Sequence, residues 1–289
     1  MTDKSSRIYT DDTLRVWPQL RQHHLAVASL IIVSLMTIIC FAAPLIAPYE
    51  FDAIDLDSIR QAPSFDHWMG TDDLGRDLFS RVLFGGRISI LIGILAALFG
   101  TALGTLVGAA GGFYGGRVDN ILMRITDVVY SIPTLPLLII LSSYTQATGT
   151  SMALIIGLLS WMATARVVRG EVLSIKQMLY VEAARSLGAG NLRIIMRQIL
   201  PNALGPIVVG ATLAVGYAII LESSLSFLGL GVQPPVPTWG NLLMDAQSTM
   251  ATKPWLTIFP GIAILLVVLS VNFIGDGLQD ALDPSARER

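Results

Sequence analysis

Val181-Glu182-Ala183-Ala184-Arg185-Ser186-Leu187-Gly188, running on to Leu200-Pro201, decides how this chain is read. It is a polar island between long apolar runs. From Arg166 to Arg197 it carries Arg166, Arg169, Lys176, Arg185, Arg193 and Arg197 against only Glu171 and Glu182. Membrane proteins keep loops rich in Lys and Arg on the cytoplasmic side, so this loop is expected to face the cytoplasm. Its local chemistry is that of two short helices. Glu182-Ala183-Ala184 is good helix material, and Gly188 and Gly190 can end that helix in a left-handed cap. Asn191 is a candidate N-cap for a second helix, Leu192 to Leu200. Pro201 suits the first turn of the next span. Two helices joined at glycine and held out from the membrane make a knob for a cytoplasmic partner.

Composition agrees with a membrane protein. Of 289 residues, 53% are apolar and 14% charged, where a soluble domain carries about 25% charged residues. The mean hydropathy is +0.65. A net charge of −2 gives no support for a nucleic-acid partner. The single cysteine, Cys40, excludes an internal disulfide.

A span needs about 20 apolar residues. The polar segment 1–24, with Trp17 and Pro18 suited to an interface, leads to a first span at 25–47. The rival reading is a signal peptide. Its apolar core would be about 7–15 residues, shorter than the run here, and the proline in Ala42-Ala43-Pro44 makes a poor cleavage site. An uncleaved anchor is expected. Residues 48–87 form an acidic outer segment ending in Gly70-Thr71-Asp72-Asp73-Leu74-Gly75-Arg76-Asp77-Leu78-Phe79-Ser80-Arg81. There Thr71 is a candidate N-cap. Asp77 to Gly85 is either a helix lying on the membrane, leading into span 2, or a docking element.

In span 2, Ile88 to about Ala110, Gly100, Gly104, Gly108 and Gly112 recur every fourth residue, a spacing that lets helix backbones approach closely in lipid. Span 3 runs from Asp119 to Tyr144; Arg124 and Asp127 are placed to pair on one face, either as an interfacial ion pair or at an inner gate, and Pro133 and Pro136 predict kinks. Thr145 to Ser151 is a polar outer turn. Span 4 begins at Met152 and is expected to continue into the cytoplasm through Arg166 and Arg169. Span 5 runs from Pro201 to Leu221 with close packing at Gly205, Gly210 and Gly216. Glu222, at its outer end, is a pathway, capping or packing residue. The outer loop 223–254 contains Gln233, Pro234, Pro235, Pro237 and Trp239, where prolines forbid regular helix; a surface helix, Asn241 to Met250, should follow. Span 6 is about Trp255 to Ile274, and 276–289 is the tail. With both termini inside, fourteen of the nineteen Lys and Arg residues fall on the cytoplasmic side.

No G-x-x-x-x-G-K-[ST] phosphate loop occurs. His23, His24 and His67 are the only histidines, and none sits at metal or catalytic spacing. Neither an ATPase nor an intramembrane enzyme is indicated, and no metal site is expected. A secondary transporter would carry ionisable groups at the midplane or broken helices in two similar halves. The span centres here are almost free of charge. A non-transporting membrane scaffold is the remaining alternative.

Glu182-Ala183-Ala184, three residues, Gly188, then Leu200-Pro201 thirteen residues on resembles the "EAA loop" of the permeases of binding-protein-dependent ABC importers. The usual aliphatic residue three positions before the proline is Gln198 here, with Ile199 following. The string from Gly70 to Ser89, the strings Glu222 to Gly231 and Gln233 to Gly240, and Gly275 to Pro284 resemble the oligopeptide, dipeptide and nickel subgroup. This resemblance implies an all-α fold of six transmembrane helices with a MetI-like ABC importer permease core at 88–275. It implies a coupling loop at 170–200, with Glu182, Ala183, Ala184, Arg185, Gly188, Leu200 and Pro201 at its ATPase contact. Asp127 and Glu222 are the candidates for pathway or gate. The implied partners are a second homologous permease, two ATP-binding subunits that hold ATP and Mg²⁺, and a periplasmic solute-binding protein, all at a bacterial inner membrane. The implied solute is a peptide, glutathione or nickel, and this chain itself binds no cofactor.

Overall fold

The computed structural model describes residues 16–145 and 148–282. The first fifteen residues, most of the N-terminal segment, lie outside the described residues, as does the Asp283-Pro284 end of the C-terminal string. The described chain is helical, and its only extended pairing is an isolated antiparallel bridge between Thr71 and Asp77. In chain order the helices are α1 Val16–Leu20, α2 His24–Phe41, α3 Ala43–Ile46, α4 Leu78–Tyr114, α5 Gly116–Ser131, α6 Thr134–Ser143 and α7 Gly149–Leu158. There follow α8 Trp161–Ile175, α9 Leu179–Ser186, α10 Asn191–Ile194, a π turn Ile195–Ile199, α11 Leu204–Phe227, α12 Trp239–Ala246 and α13 Trp255–Leu282.

Four of these, α2, α4, α11 and α13, are long and apolar enough to cross a membrane, and there are six spans if each of two bent pairs counts as one. The first pair is α5 and α6, bent by 84°. Ile132 precedes Pro133 and is held extended, at φ −83° and ψ 127°, because the proline ring excludes the helical region for its predecessor. The expectation of a kink at both prolines needs correcting. Pro136 sits in the first turn of α6, where proline's missing N–H costs nothing. The second pair is α7 and α8, bent by 46°. At that break the Ser160 hydroxyl donates to the Ile156 carbonyl at 3.0 Å, the kind of back-bonding that bends helices. α8 then continues through Arg166 and Arg169 to Ile175, as the sequence suggests.

α4 is the spine. Its 37 residues span about 55 Å at 1.5 Å per residue, and the lead-in segment after Asp77 is its first turn rather than a separate surface helix. The N-cap is Asp77, whose carboxylate accepts from the Ser80 N–H at 2.8 Å and the Ser80 hydroxyl at 2.7 Å. Thr71 is not the cap. Its hydroxyl accepts from the Gln61 N–H at 2.9 Å and donates to the Ser58 carbonyl, so it ties the outer loop to itself.

The glycine repeat does pack closely, and its neighbours lie in the same chain. A Cβ built on Gly104 would stand 2.6 Å from the Trp161 carbonyl oxygen and 2.7 Å from Thr164 Cβ. One on Gly112 would stand 2.9 Å from Val172 Cβ. Gly108 meets the Ala165 carbonyl, and Gly100 meets Ser160 Oγ at 2.6 Å. Four glycines one turn apart thus seat α8 directly on the backbone of α4. The glycines of α11 behave differently. Gly210 has open space where a side chain would go, and Gly205 and Gly216 have ordinary contacts only. In α11 a close approach falls elsewhere, where a Cβ built on Gly275 of α13 would stand 2.6 Å from Leu213 Cδ2.

Candidate functional site

The inner loop takes the two-armed form, with changed boundaries. α9 ends at Ser186, and Gly188 stands at φ +80°, the left-handed conformation that glycine adopts at least cost. Gly190 does not share it, at φ −68°. It occupies the N-cap position of α10, and Asn191 is the first helical residue. The single helix expected from Leu192 to Leu200 divides into α10 and a π turn closed by the Leu200 N–H on the Ile195 carbonyl at 2.9 Å. Pro201 explains the widening. In an α-helix its ring would collide with the carbonyl of Arg197, and the π turn opens the ladder there. Pro201 consequently lies three residues before α11 begins at Leu204 rather than in its first turn.

One side of this loop is a core. Val181, Ile194, Ile199 and Ala203 pack with Ala109 and Phe113 of α4 and Val168, Val172 and Ile175 of α8. The opposite side presents apolar residues to the outside: Leu179 is 83% exposed, Leu187 89% and Leu192 72%. Glu182 is exposed and makes no ion pair among the described residues, so it does not serve to balance Arg185 on its own helix. Arg185 lies instead 6.0 Å over the Phe113 ring. Ala183 is exposed and Ala184 half-buried.

Two arginines of α8 fasten this assembly to α5. Arg169 grips Asp119 at two points, Nε to Oδ1 at 2.5 Å and Nη2 to Oδ2 at 2.6 Å. Arg166 bonds Asp127 at 2.7 Å and stacks over Tyr130 at 4.5 Å. The sequence pairing of Asp127 with Arg124 is therefore corrected. A partner on the neighbouring helix reaches Asp127 with a flat, fork-shaped guanidinium braced on an aromatic ring.

Between the two breaks lies a cavity of about 660 Å³. Tyr130 to Thr134 line it from the first break, Leu159, Ser160 and Met162 to Thr164 from the second, and Pro206, Gly210, Leu213 and Tyr217 from α11. No charged side chain lines it, and its polar groups are hydroxyls. Sequence reading missed these residues. The open side of Gly210 and the two breaks were the available signals, but the breaks alone do not say which faces meet.

Glu222 is not at this cavity. It lies inside α11, with no exposed surface. Its carboxyl accepts from the hydroxyls of Ser226 at 2.7 Å, Ser89 at 3.1 Å and Ser223 at 3.4 Å. Ser89 also receives the backbone N–H of Trp239 at 3.2 Å. The cage joins α4, α11 and α12, which fits packing, and Glu222 is not among the residues that line the cavity.

The outer helix also departs from expectation. It runs Trp239–Ala246 rather than Asn241 to Met250, and it is a wedge rather than a surface element. Trp239 is fully buried and donates its indole N–H to the Val82 carbonyl at 3.0 Å. The preceding loop is irregular, as its prolines require. Gln233 donates to the Gly231 carbonyl at 2.9 Å, Pro234 and Pro235 are exposed, and Pro237 is buried. Asp245, on the wedge, faces Arg81 at 3.5 Å and Arg76 at 3.7 Å. Asp72 holds the same arginines at 3.1 and 2.7 Å. Burial pushes the Asp245 carboxyl above the usual carboxylate range, against the pull of Arg81 and Arg76. The acidic outer string thus anchors α12 to the start of α4.

Residues 89–288 match the family described as binding-protein-dependent transport system inner membrane component, and residues 13–63 match the N-terminal TM domain of oligopeptide transport permease C. A glutathione transport system permease protein GsiD from Pectobacterium atrosepticum is 43% identical over 272 residues, covering 94% of this chain and 90% of that protein. Proteins of the same name from Escherichia coli and Shigella boydii are 42% identical over the same shares. A solved structure of the MetNI methionine ABC transporter in inward-facing conformations has a chain that aligns at TM-score 0.55 and 23% identity. The alignment covers 71% of this chain and 98% of that one, a likeness of fold. The helices, the two-armed inner loop and these matches lead to one assignment: the chain belongs to the family of multi-pass inner membrane permease components of binding-protein-dependent ABC importers.

Proposed function

We propose that this chain supplies half of the pathway of an ATP-driven importer for small peptides, with glutathione included in that class. A second, homologous permease faces it, two ATP-binding subunits that hold ATP and Mg²⁺ dock from the cytoplasm, and a solute-binding protein delivers from outside. Both termini and residues 170–200 lie inside, while residues 48–87 and 223–254 lie outside.

The observation that carries this reading is the pairing of the apolar tip of the 170–200 loop with a rigid base. Leu179 and Leu187 are exposed while Val181 on the same arm is fully buried. An exposed apolar tip on a packed base is built to seat in a partner's groove. Movement of that tip passes to α8 through the shared core, and to α5 through Arg169 and Asp119. α8 and α5 carry the walls of the cavity, so closure of the ATPase pair would be felt there. A state that binds solute on one side must differ in affinity from the state open to the other. The uncharged lining, mostly apolar with a few hydroxyls, suits a solute passed on without charge selection, and the binding protein does the choosing. The names of the relatives support peptide-like cargo.

The test is the complete importer in proteoliposomes, with ATP inside and binding protein outside. ATP-dependent accumulation of a labelled dipeptide or of glutathione is expected. Accumulation that persists without the ATP-binding subunits, or uptake of neither solute, contradicts the reading.

A further inference from the structure

The second arm of the inner loop carries a second exposed feature, apart from Leu179 and Leu187 on the first arm. Leu192, Arg193, Met196 and Arg197 share one open depression on its outer side. They form two pairs four residues apart, one apolar and one cationic. Leu192 is 72% exposed and Met196 57%. Among the described residues neither arginine has an ion-pair partner.

Their height relative to the bilayer follows from what lies behind them. Ile194 and Ile199, on the same segment, belong to the buried cluster that includes Ala109 and Phe113, and α4 ends at Tyr114. The depression therefore stands level with the end of a membrane-crossing helix. Leu204, where the next span begins, is exposed only seven residues after Arg197. The first arm, with Leu179 and Leu187, carries the tip that projects from this base.

We propose that this depression binds the headgroup phosphate of an anionic phospholipid, with Arg193 and Arg197 on the phosphate and Leu192 and Met196 against the glycerol and first acyl carbons. Guanidinium forks match phosphate oxygens at two points. Apolar side chains beside them suit the boundary between headgroup and acyl chain. The lipid would steady the segment at its π turn, between the coupling arm and α11. The inference rests on the membrane placement of α4 and α11, and not on which solute the importer carries.

The test uses the full chain in detergent, without ATPase subunits, titrated with phosphatidylglycerol and with phosphatidylcholine and read by native mass spectrometry. Failure of the importer reading therefore does not affect its outcome. Two juxtamembrane arginines together should account for about thirtyfold in affinity for an anionic lipid. Arg193→Gln with Arg197→Gln is expected to weaken phosphatidylglycerol binding by that factor and leave phosphatidylcholine binding unchanged. The double lysine variant, which keeps the charge and guards against misfolding, should lose less than about tenfold. Arg117→Gln, at an exposed arginine of α5, should bind as the parent does. Parent-like affinity in the glutamine variant would overturn the proposal. So would displacement of phosphatidylglycerol by millimolar glycerol phosphate, which would mark a plain anion site. Parent-like lipid binding in a glutamine variant that, co-expressed with the ATPase subunits, no longer co-purifies with them would also overturn it and assign the patch to the ATPase.

Discussion

Arg169 and Asp119 meet through two parallel bonds, at 2.5 and 2.6 Å, and join the helix that leads into the 170–200 loop to the helix on the far side of the cavity. The pair is partly shielded, with side-chain exposures of 33% and 13%, so it holds its geometry better than a surface pair would.

That pair should be tested by exchange. Asp119→Ala is expected to lower ATP-driven uptake several-fold while the chain still assembles, because it leaves Arg169 without its partner and α5 tied to α8 through Arg166 and Asp127 alone. Arg169→Asp combined with Asp119→Arg should recover part of the loss. Equal uptake in Asp119→Ala and the parent would show that α5 does not follow α8.

Gly104→Leu should destabilise the chain itself. The neighbours of Gly104 are Trp161 and Thr164 of the same chain, so the added side chain forces α8 off α4. Overpacking of this kind costs about 1–3 kcal/mol. The midpoint of thermal unfolding of the purified chain should fall. An unchanged midpoint with loss of the partner permease would instead place this face at the interface between subunits.

Glu222→Gln keeps a carbonyl oxygen for the serine hydroxyls and should leave both stability and uptake close to those of the parent. Glu222→Leu leaves Ser89 and Ser226 without their acceptor, which costs about 1–3 kcal/mol for each buried group left unmet. Thermal unfolding of the two variants separates them. If Glu222→Gln abolishes uptake in a stably folded chain, the carboxyl has a role beyond packing.

The proposed orientation can be read by labelling in intact cells. Cys40, buried in α2, is first changed to Ala. A cysteine replacing Ser186 should resist a membrane-impermeant thiol reagent added outside, and one replacing Phe65, fully exposed in the outer segment, should react. The opposite pattern would invert the topology.

Much of this was legible in the sequence, for identifiable reasons. Apolar run length marks spans, so α2, α4, α11 and α13 could be located although their ends could not. Gly188 was readable because only one backbone conformation rewards glycine there, and the Gly100 to Gly112 repeat because small residues every fourth position have few other uses in lipid. The partners of charged residues were not readable. Asp127 has Arg124 three residues away, yet pairs with Arg166, because α8 lies beside α5 and a neighbouring helix offers better geometry. Trp239 looked like part of a loop because the prolines before it mask a wedge that only the packing of α4, α11 and α13 explains. The cavity was invisible because hydroxyls and tyrosines at helix breaks carry no pattern of their own. Pro201 gave a fair place for the chain's turn back to the membrane but hid the π turn it enforces.

In the proposed function the 170–200 loop transmits ATPase closure. Leu187→Asp tests it most directly, because Leu187 is 89% exposed and supports nothing inside the chain. Gly188→Val is the companion variant: its side chain has open space, so only its left-handed backbone at φ +80° resists the change. The measurement is ATP-driven uptake together with co-purification of the ATP-binding subunits, in chains whose thermal unfolding matches the parent. Leu187→Asp is expected to lose the ATPase subunits and to lower uptake at least tenfold, with Gly188→Val following in the same direction. Parent-level uptake and full ATPase retention in both variants would contradict it.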